Sequence, residues 1–152
     1  MRNAIRILLV PAFALASATA LWAGGLFVVL GNPEANPEAR GEKAVLTLKL
    51  AGCHEPQNAA VTGVAISVDS GRERSIPLQL KALATPGTYA VTRQWPEQGR
   101  WVLEFVAKDQ GRVTSTLVVA GPGGIERQAA KMEMREPARN EVLAMLSERK
   151  AE

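Results

Sequence analysis

The sequence predicts an all-β fold, an antiparallel β-sandwich of about six or seven strands, with an N-terminal apolar helix and a short C-terminal helix on either side. Three observations lead to this prediction. After residue 43, apolar and polar residues alternate with period two in short segments. Turn residues separate these segments at intervals of about 10 to 15 residues, and no helical pattern lies between them. Short, evenly spaced strands of this kind are typical of two-sheet antiparallel domains.

The N-terminal segment indicates export. Arg2 and Arg6 precede an uncharged, mostly apolar run over residues 7–30, which as a helix would extend about 36 Å and cross a hydrocarbon core of about 30 Å. The basic flank predicts that the rest of the chain lies on the periplasmic face of the inner membrane. The alternative is a signal peptide cleaved after Ala20, which would release a domain whose apolar N-terminus starts at Leu21.

Composition changes mark the other boundaries. We assign residues 1–31 to the signal peptide or anchor and residues 32–42, which repeat Asn-Pro-Glu, to an extended linker that holds the domain off the membrane. About 120 residues follow the leader, enough for one core, and we place the sandwich at residues 43–121.

The remaining residues, 122–152, form a polar tail. Three apolar residues at helical spacing indicate an amphipathic helix there: Val142, Leu143 and Leu146. This tail either frays in solution or folds as a helix that docks on the sandwich or on a partner.

The first three strands are predicted at residues 46–50, 64–68 and 76–81. In each of them every second residue is a leucine, isoleucine or valine. The Asp-Ser-Gly sequence at 69–71 supplies a turn after the second strand. Pro77 cannot donate a hydrogen bond to a neighbouring strand, so it predicts a sheet edge or a bulge.

The next three strands are predicted at residues 89–91, 101–106 and 113–119. Pro86 and Gly87 turn the chain into the fourth strand, and Gly99 opens the fifth. The Asp-Gln-Gly sequence at 109–111 predicts a short hairpin turn with glycine in the left-handed conformation.

Charge and cysteine content exclude some classes of function. The net charge of +3 and the pI near 9.4 come from basic residues scattered over turns and strand edges. Without a basic stripe or an aromatic stacking platform, we expect no nucleic-acid binding. The single cysteine, Cys53, excludes an intrachain disulfide, so the core alone must hold the domain together.

One segment resembles a known group of proteins. Residues 87–105 contain Gly87, Tyr89, Gly99, Trp101 and Leu103 in a Gly-x-Tyr and Gly-x-Trp-x-Leu arrangement. This arrangement is similar to that of small exported bacterial immunoglobulin-like domains of the YtkA-like and FixH-like type. The resemblance implies an immunoglobulin-like sandwich behind an N-terminal signal or anchor. It also implies that copper handling or the assembly of membrane oxidases belongs among the functions to consider.

The aromatic residues of this segment have both structural and functional interpretations. Tyr89 and Trp101 are expected to fill the space between two sheets. Trp95, which precedes Pro96 at a strand end, either packs at the rim of the core or forms an exposed contact. If it is exposed, Trp95, Tyr89 and Arg93 are the candidate interaction residues for an envelope protein.

The candidate metal ligands lie in two places. Cys53 and His54 are adjacent in the loop after the first strand, and Met132 and Met134 lie two residues apart in the tail. A thiolate and an imidazole are ligands for Cu(I) or Zn(II), and thioethers could complete a Cu(I) site if the tail folded back. The alternative is a free cysteine with no metal function. Cys53 also ends a Leu-Ala-Gly-Cys sequence that matches a lipobox, but acylation there would remove the first strand.

Catalysis finds little support in the sequence. One histidine leaves no room for a His-based metal triad, and no nucleophile lies in a recognisable elbow beside a base. We therefore expect a non-enzymatic module without a cofactor that binds an envelope protein through a sheet edge or through the Trp95 rim. An accessory copper protein using Cys53 and His54 is the first alternative, and a carbohydrate-binding domain or weak enzyme using Trp95 is the second.

Overall fold

Two antiparallel sheets face each other in the computed structural model, which describes residues 25–148. The first, sheet A, has four strands in the spatial order β1 (Leu26–Gly31), β2 (Leu46–Gly52), β6 (Thr88–Val91) and β5 (Leu80–Ala82). The second, sheet B, has the order β10 (Lys131–Glu133), β8 (Arg112–Gly121), β7 (Trp101–Asp109), β3 (Ala60–Asp69) and β4 (Arg72–Leu78), and β9 (Gly124–Ile125) pairs with β8. The prediction of an all-β sandwich is therefore confirmed, although residues 25–148 contain ten strands rather than six or seven.

The core lies between the sheets and follows the predicted alternation. Sheet A contributes side chains such as Leu48 and Val28, and sheet B contributes Leu103, Phe105 and Val118, all fully buried. Because successive side chains of a strand point to opposite faces, the same alternation leaves a second face on each sheet to be covered or exposed.

Strand β1 lies inside the run that the sequence assigns to a helix. Leu26 and Val28 are buried in the core, and β1 pairs with β2 from Leu26 opposite Gly52 to Gly31 opposite Thr47. In this described part of the chain the sandwich thus begins at Leu26 and not at residue 43. A short apolar run fits a buried strand as well as a helix, which explains the difference. The rest of the predicted signal peptide or anchor, residues 1–24, lies outside the described residues.

One carbonyl on the free edge of β1 accepts a hydrogen bond from a side chain of the opposite sheet. The buried hydroxyl of Thr116, on β8, donates a hydrogen bond of 2.8 Å to the Val28 carbonyl oxygen. Edge strands with unpaired backbone groups are templates for aggregation, and this hydrogen bond leaves β1 with one fewer unpaired backbone group.

The Asn-Pro-Glu repeats form short helices in place of the expected extended linker. Residues Pro33–Ala35 make one 3-10 turn, and α1 follows at Pro37–Gly41. The Asn36 side chain accepts hydrogen bonds from the Glu38 and Ala39 amides, and proline occupies the first helical position. Ala39 packs against Leu83 and Ala90, so this segment covers part of the outer face of sheet A.

The predicted third strand is divided between the two sheets. Its first part is β4, which pairs with β3 and forms an edge of sheet B, as Pro77 predicts. After Gln79 the chain continues as β5, which pairs with β6 in sheet A. One continuous segment therefore crosses from one sheet to the other.

The tail folds onto the sandwich, as the docked-helix alternative predicted. Helix α2 (Arg139–Ser147) buries Val142 and Met145 against the outer face of sheet B, where they meet Ile66, Val102 and Leu117. The polar segment between β10 and α2 is held by Ser115, whose hydroxyl donates to the Arg135 carbonyl at 2.7 Å. No helix within residues 25–148 is long and apolar enough to span a membrane.

Candidate functional site

Two of the candidate metal ligands, Cys53 and Met134, lie close to Gly25 at one end of the sandwich. We call it the Gly25 end, because it carries Gly25, the loop between β2 and β3, and the turn at residues 109–112. At this end the Cys53 amide donates to the Gly25 carbonyl at 3.3 Å, and the Arg112 guanidinium donates to the Cys53 carbonyl at 3.1 Å. Cys53 itself is an exposed free thiol. The next two residues, His54 and Glu55, have positive φ angles of 60° and 52°.

The two methionines lie on and just after β10. Met132 pairs with Thr116, and Met134 continues toward the Gly25 end. The Met134 methyl carbon is 3.3 Å from the position that a Cβ on Gly25 would take. The structure therefore brings Cys53 and Met134 close to the same glycine, which their separation in sequence does not reveal. Met132 lies two residues further along the strand.

The donor set at the Gly25 end is soft. A thiolate, an imidazole and a thioether together suit Cu(I) better than Mg²⁺ or Ca²⁺, which prefer oxygen ligands. Within residues 25–148, no three side chains of the His, Cys, Asp and Glu types come together as a metal cluster. Any copper site here would therefore depend on the methionines.

The three predicted interaction residues, Trp95, Arg93 and Tyr89, differ in their burial and in their contacts. Trp95 is only 4% exposed and belongs to the core, so it packs in the way the rim-packing alternative predicts and does not offer its ring to solvent. Arg93 lies over the Trp95 ring, 5.7 Å from its centroid, in a cation–π contact. Tyr89 is half-buried against the same core.

Tyr89 also lines an apolar groove of about 420 Å³ at the point where β4 crosses to β5. The groove lies between the sheets, with the start of β3 on one side and β5 and β6 on the other. Its lining is mainly apolar and includes Ala59, Val61, Val64, Pro77, Leu78 and Leu80. We call it the crossover groove. The one signal for this groove in the sequence is Pro77, which marks the strand that leaves sheet B.

The start of β3 has a neighbouring strand on one side only. Its pairing with β7 extends from Ile66 back to Ala60, but its pairing with β4 starts at Gly63. Ala60, Val61 and Thr62 therefore lie beside the crossover groove with no flanking strand on that side among the described residues. A free strand edge next to an apolar groove is the arrangement used to bind an extended peptide.

The opposite end of the sandwich carries a second cavity, of about 380 Å³, beside Arg74, Arg100 and Trp101. Both arginines of this cavity already have partners within the domain. Arg100 donates to the Glu126 carboxylate at 3.2 Å and to the Met145 carbonyl at 3.3 Å, while Arg74 lies 5.7 Å from the centroid of the Trp101 ring. These contacts fasten α2 and the loop before β7, which gives them a structural role.

The carboxylates whose pKa values are shifted lie around α2. The Arg135 side chain, followed by the Ala138 amide, lowers the pKa of Glu141 from 4.5 to about 2. The hydrogen bond from Arg139 lowers the pKa of Glu73. Burial raises the pKa of Glu104, on the outer face of sheet B, although the positive charge of Arg139 opposes this. These shifts come from the contacts that dock the helix.

No known protein family, curated protein or solved structure matches this chain.

Proposed function

We propose that this chain is a non-enzymatic, immunoglobulin-like binding module, exported to the cell envelope and tethered to the periplasmic face of the inner membrane, that binds an extended segment of another envelope protein. The observation that carries the proposal is the crossover groove beside the unflanked start of β3. There, a partner segment finds backbone groups for hydrogen bonding and an apolar volume for its side chains.

Other edges of the sandwich suit this role less well. The Val28 carbonyl at the centre of the β1 edge is already bonded to Thr116, and β4 carries the charged residues Arg72, Glu73 and Arg74, which discourage pairing with another strand. β5 has only three residues, with Lys81 at its centre. The predicted Trp95 rim is buried. Of the candidate interaction residues Trp95, Tyr89 and Arg93, only Tyr89 lines the groove, so it is the one that we retain.

Site-directed photocrosslinking in the producing cell tests the proposal. A benzoylphenylalanine in place of Ala60, which is exposed and lines the groove, is expected to capture a specific partner. The same group in place of Gln110, in the exposed turn at the Gly25 end, is the positional control. Capture from both positions, or from neither, would contradict the proposal.

A pair of substitutions adds a matched control. Thr62→Arg places a long charged side chain at the mouth of the groove and is expected to abolish capture from position 60. Thr85→Arg makes the same change at an exposed residue that does not line the groove, and it is expected to leave capture intact.

The second candidate function is Cu(I) binding, which the positions of Cys53 and Met134 beside Gly25 favour. In a Cu(I) competition titration of the full chain, under reducing and oxygen-free conditions, it predicts 1:1 binding. This binding weakens in Cys53→Ser, His54→Ala and Met134→Leu. Met145 is a buried residue of α2, and Met145→Leu leaves the binding unchanged. No competition with a weak chelator would exclude this function.

A further inference from the structure

An apolar strip borders the free edge of β1. It consists of Phe27 and Val29 on the outer face of β1, and of Met132 and Met134 on and after β10. Val29, Met132 and Met134 are 42%, 45% and 65% exposed, and they are three of the four large apolar side chains that are this exposed within residues 25–148. Phe27 and Met134 both pack over the Gly25 α-carbon, which joins the two halves of the strip.

The strip offers side chains rather than backbone. Thr116 occupies the Val28 carbonyl at the centre of the β1 edge. A partner strand that pairs along β1 would need this carbonyl to be free. An apolar medium needs only the side chains, so the strip suits a lipid surface better than a pairing strand.

The sequence before Gly25 also indicates that a lipid surface covers the strip. Residues 7–24 carry no charged side chain, and they join the domain at Gly25, within the strip. The polar segment expected to act as a spacer, residues 32–42, instead folds against sheet A. If residues 7–24 anchor the chain, no polar spacer separates the anchor from the strip.

One lysine completes the surface. Lys49 is opposite Val29 in the pairing of β1 with β2, and it is exposed. Lysine side chains beside apolar residues extend their amines toward phosphate groups while their stems stay in apolar surroundings.

We propose that the β1–β10 strip lies on the bilayer, so that the sandwich rests on this edge with its apolar side chains in the headgroup region. Segments that lie on a membrane bury their apolar side chains about 5–10 Å into the boundary between headgroups and acyl chains. This inference rests on the membrane tether of the proposed function. In this orientation the crossover groove, on the side of the sandwich where β4 passes to β5, stays accessible from the periplasm.

Spin labels at two matched valines test the orientation. In full-length chains with Cys53→Ser, reconstituted in vesicles of phosphatidylethanolamine and phosphatidylglycerol, one label is attached through Val29→Cys and the other through Val68→Cys. Val68 is 45% exposed and lies at the end of β3, near the turn at residues 69–71 and far from the Gly25 end. At position 29 we expect a several-fold higher ratio of collisions with lipid-dissolved oxygen to collisions with an aqueous nickel chelate.

The outcomes separate the orientation from the tether. Chains that float with the vesicles but show an aqueous environment at both positions overturn the orientation alone. Chains that do not float overturn the tether and the orientation together. Dipolar broadening between labels at position 29 would show that a second copy covers the strip instead of lipid. A label at Met134→Cys repeats the test if Val29→Cys does not fold.

Discussion

Two buried threonines differ in whether their hydroxyl groups have hydrogen-bond partners. The Thr116 hydroxyl bonds to the Val28 carbonyl, whereas the Thr88 hydroxyl has no partner within residues 25–148. Replacement by valine conserves shape and removes only the hydroxyl. Thr116→Val is expected to lower the free energy of unfolding by about 1–3 kcal/mol, because it leaves the Val28 carbonyl unpaired. Thr88→Val is expected to raise it by about 1 kcal/mol, because an unsatisfied buried group is removed.

Urea denaturation of the two variants and the parent chain measures both changes, and each variant serves as the control for the other. Changes of the same sign would show that the hydroxyl contacts do not determine the stability at these positions.

The pKa of Glu141 predicts how the helix responds to acid. Because the Arg135 and Ala138 hydrogen bonds lower this pKa from 4.5 to about 2, the ionised carboxylate is favoured in the folded state. The associated stability is fully present above about pH 4.5 and is lost as the pH falls toward 2. The protection of the α2 amides, the ratio of the intrinsic to the observed hydrogen-exchange rate, is therefore expected to fall over this interval.

The variant Arg135→Gln provides the comparison for this titration. It removes the largest cause of the shift, so the Glu141 pKa, followed by NMR of the side-chain carboxyl, should move back toward 4.5. A Glu141 pKa unchanged in this variant would mean that the Arg135 contact does not hold the carboxylate.

Helix α2 illustrates a stability effect at the scale of an element. Val142 is buried against sheet B, whereas the neighbouring Leu143 is half-buried and lies outside that cluster. Val142→Ala is expected to reduce the free energy of unfolding by about 2 kcal/mol, through lost burial and a residual cavity. Leu143→Ala is expected to cost less than about 1 kcal/mol, although it removes more atoms. Denaturant titration of both variants checks the difference, and equal costs would mean that α2 is not docked in solution.

The elements that the sequence predicts correctly are those with local signals. The turns at 69–71 and 109–111 have glycine preceded by a residue that also adopts positive φ, namely Ser70 and Gln110, and both connect paired strands. The short helices of the Asn-Pro-Glu repeats had a signal as well. Asparagine before proline and glutamate is a helix N-terminus pattern. Because proline is also common in extended segments, the same residues fit the predicted linker as well.

Other features depend on contacts between distant residues and could not be predicted locally. β1 becomes a strand because β2 offers it a partner and the core accepts Leu26 and Val28. The crossover groove exists because one chain segment leaves sheet B and joins sheet A. Cys53 and Met134 both lie close to Gly25 because β1 pairs with β2 and β10 pairs with β8.

For the whole molecule, the contribution of β1 predicts where the chain can be shortened. A chain that begins at Arg40 lacks β1 and the cap of α1, and it loses the buried Leu26 and Val28. Because a domain of this size is stable by only about 5–15 kcal/mol, this chain is expected not to fold cooperatively. A chain that begins at Gly25 retains both and is expected to show a sharp thermal transition. Circular dichroism of the two chains makes the comparison, and a cooperative transition for the shorter chain would contradict the role of β1.

The Thr116 bond to Val28 also has a consequence for biosynthesis. The two residues are 88 positions apart in the sequence. Because the ribosome adds about 5 to 20 residues per second, Thr116 is translated roughly 4 to 18 s after Val28. Until then β1 pairs with β2 alone, and the Val28 carbonyl on its other edge stays free to pair with another chain. A nascent chain of this protein is therefore most prone to aggregate early, and slowing translation before codon 116 should increase the demand for chaperones.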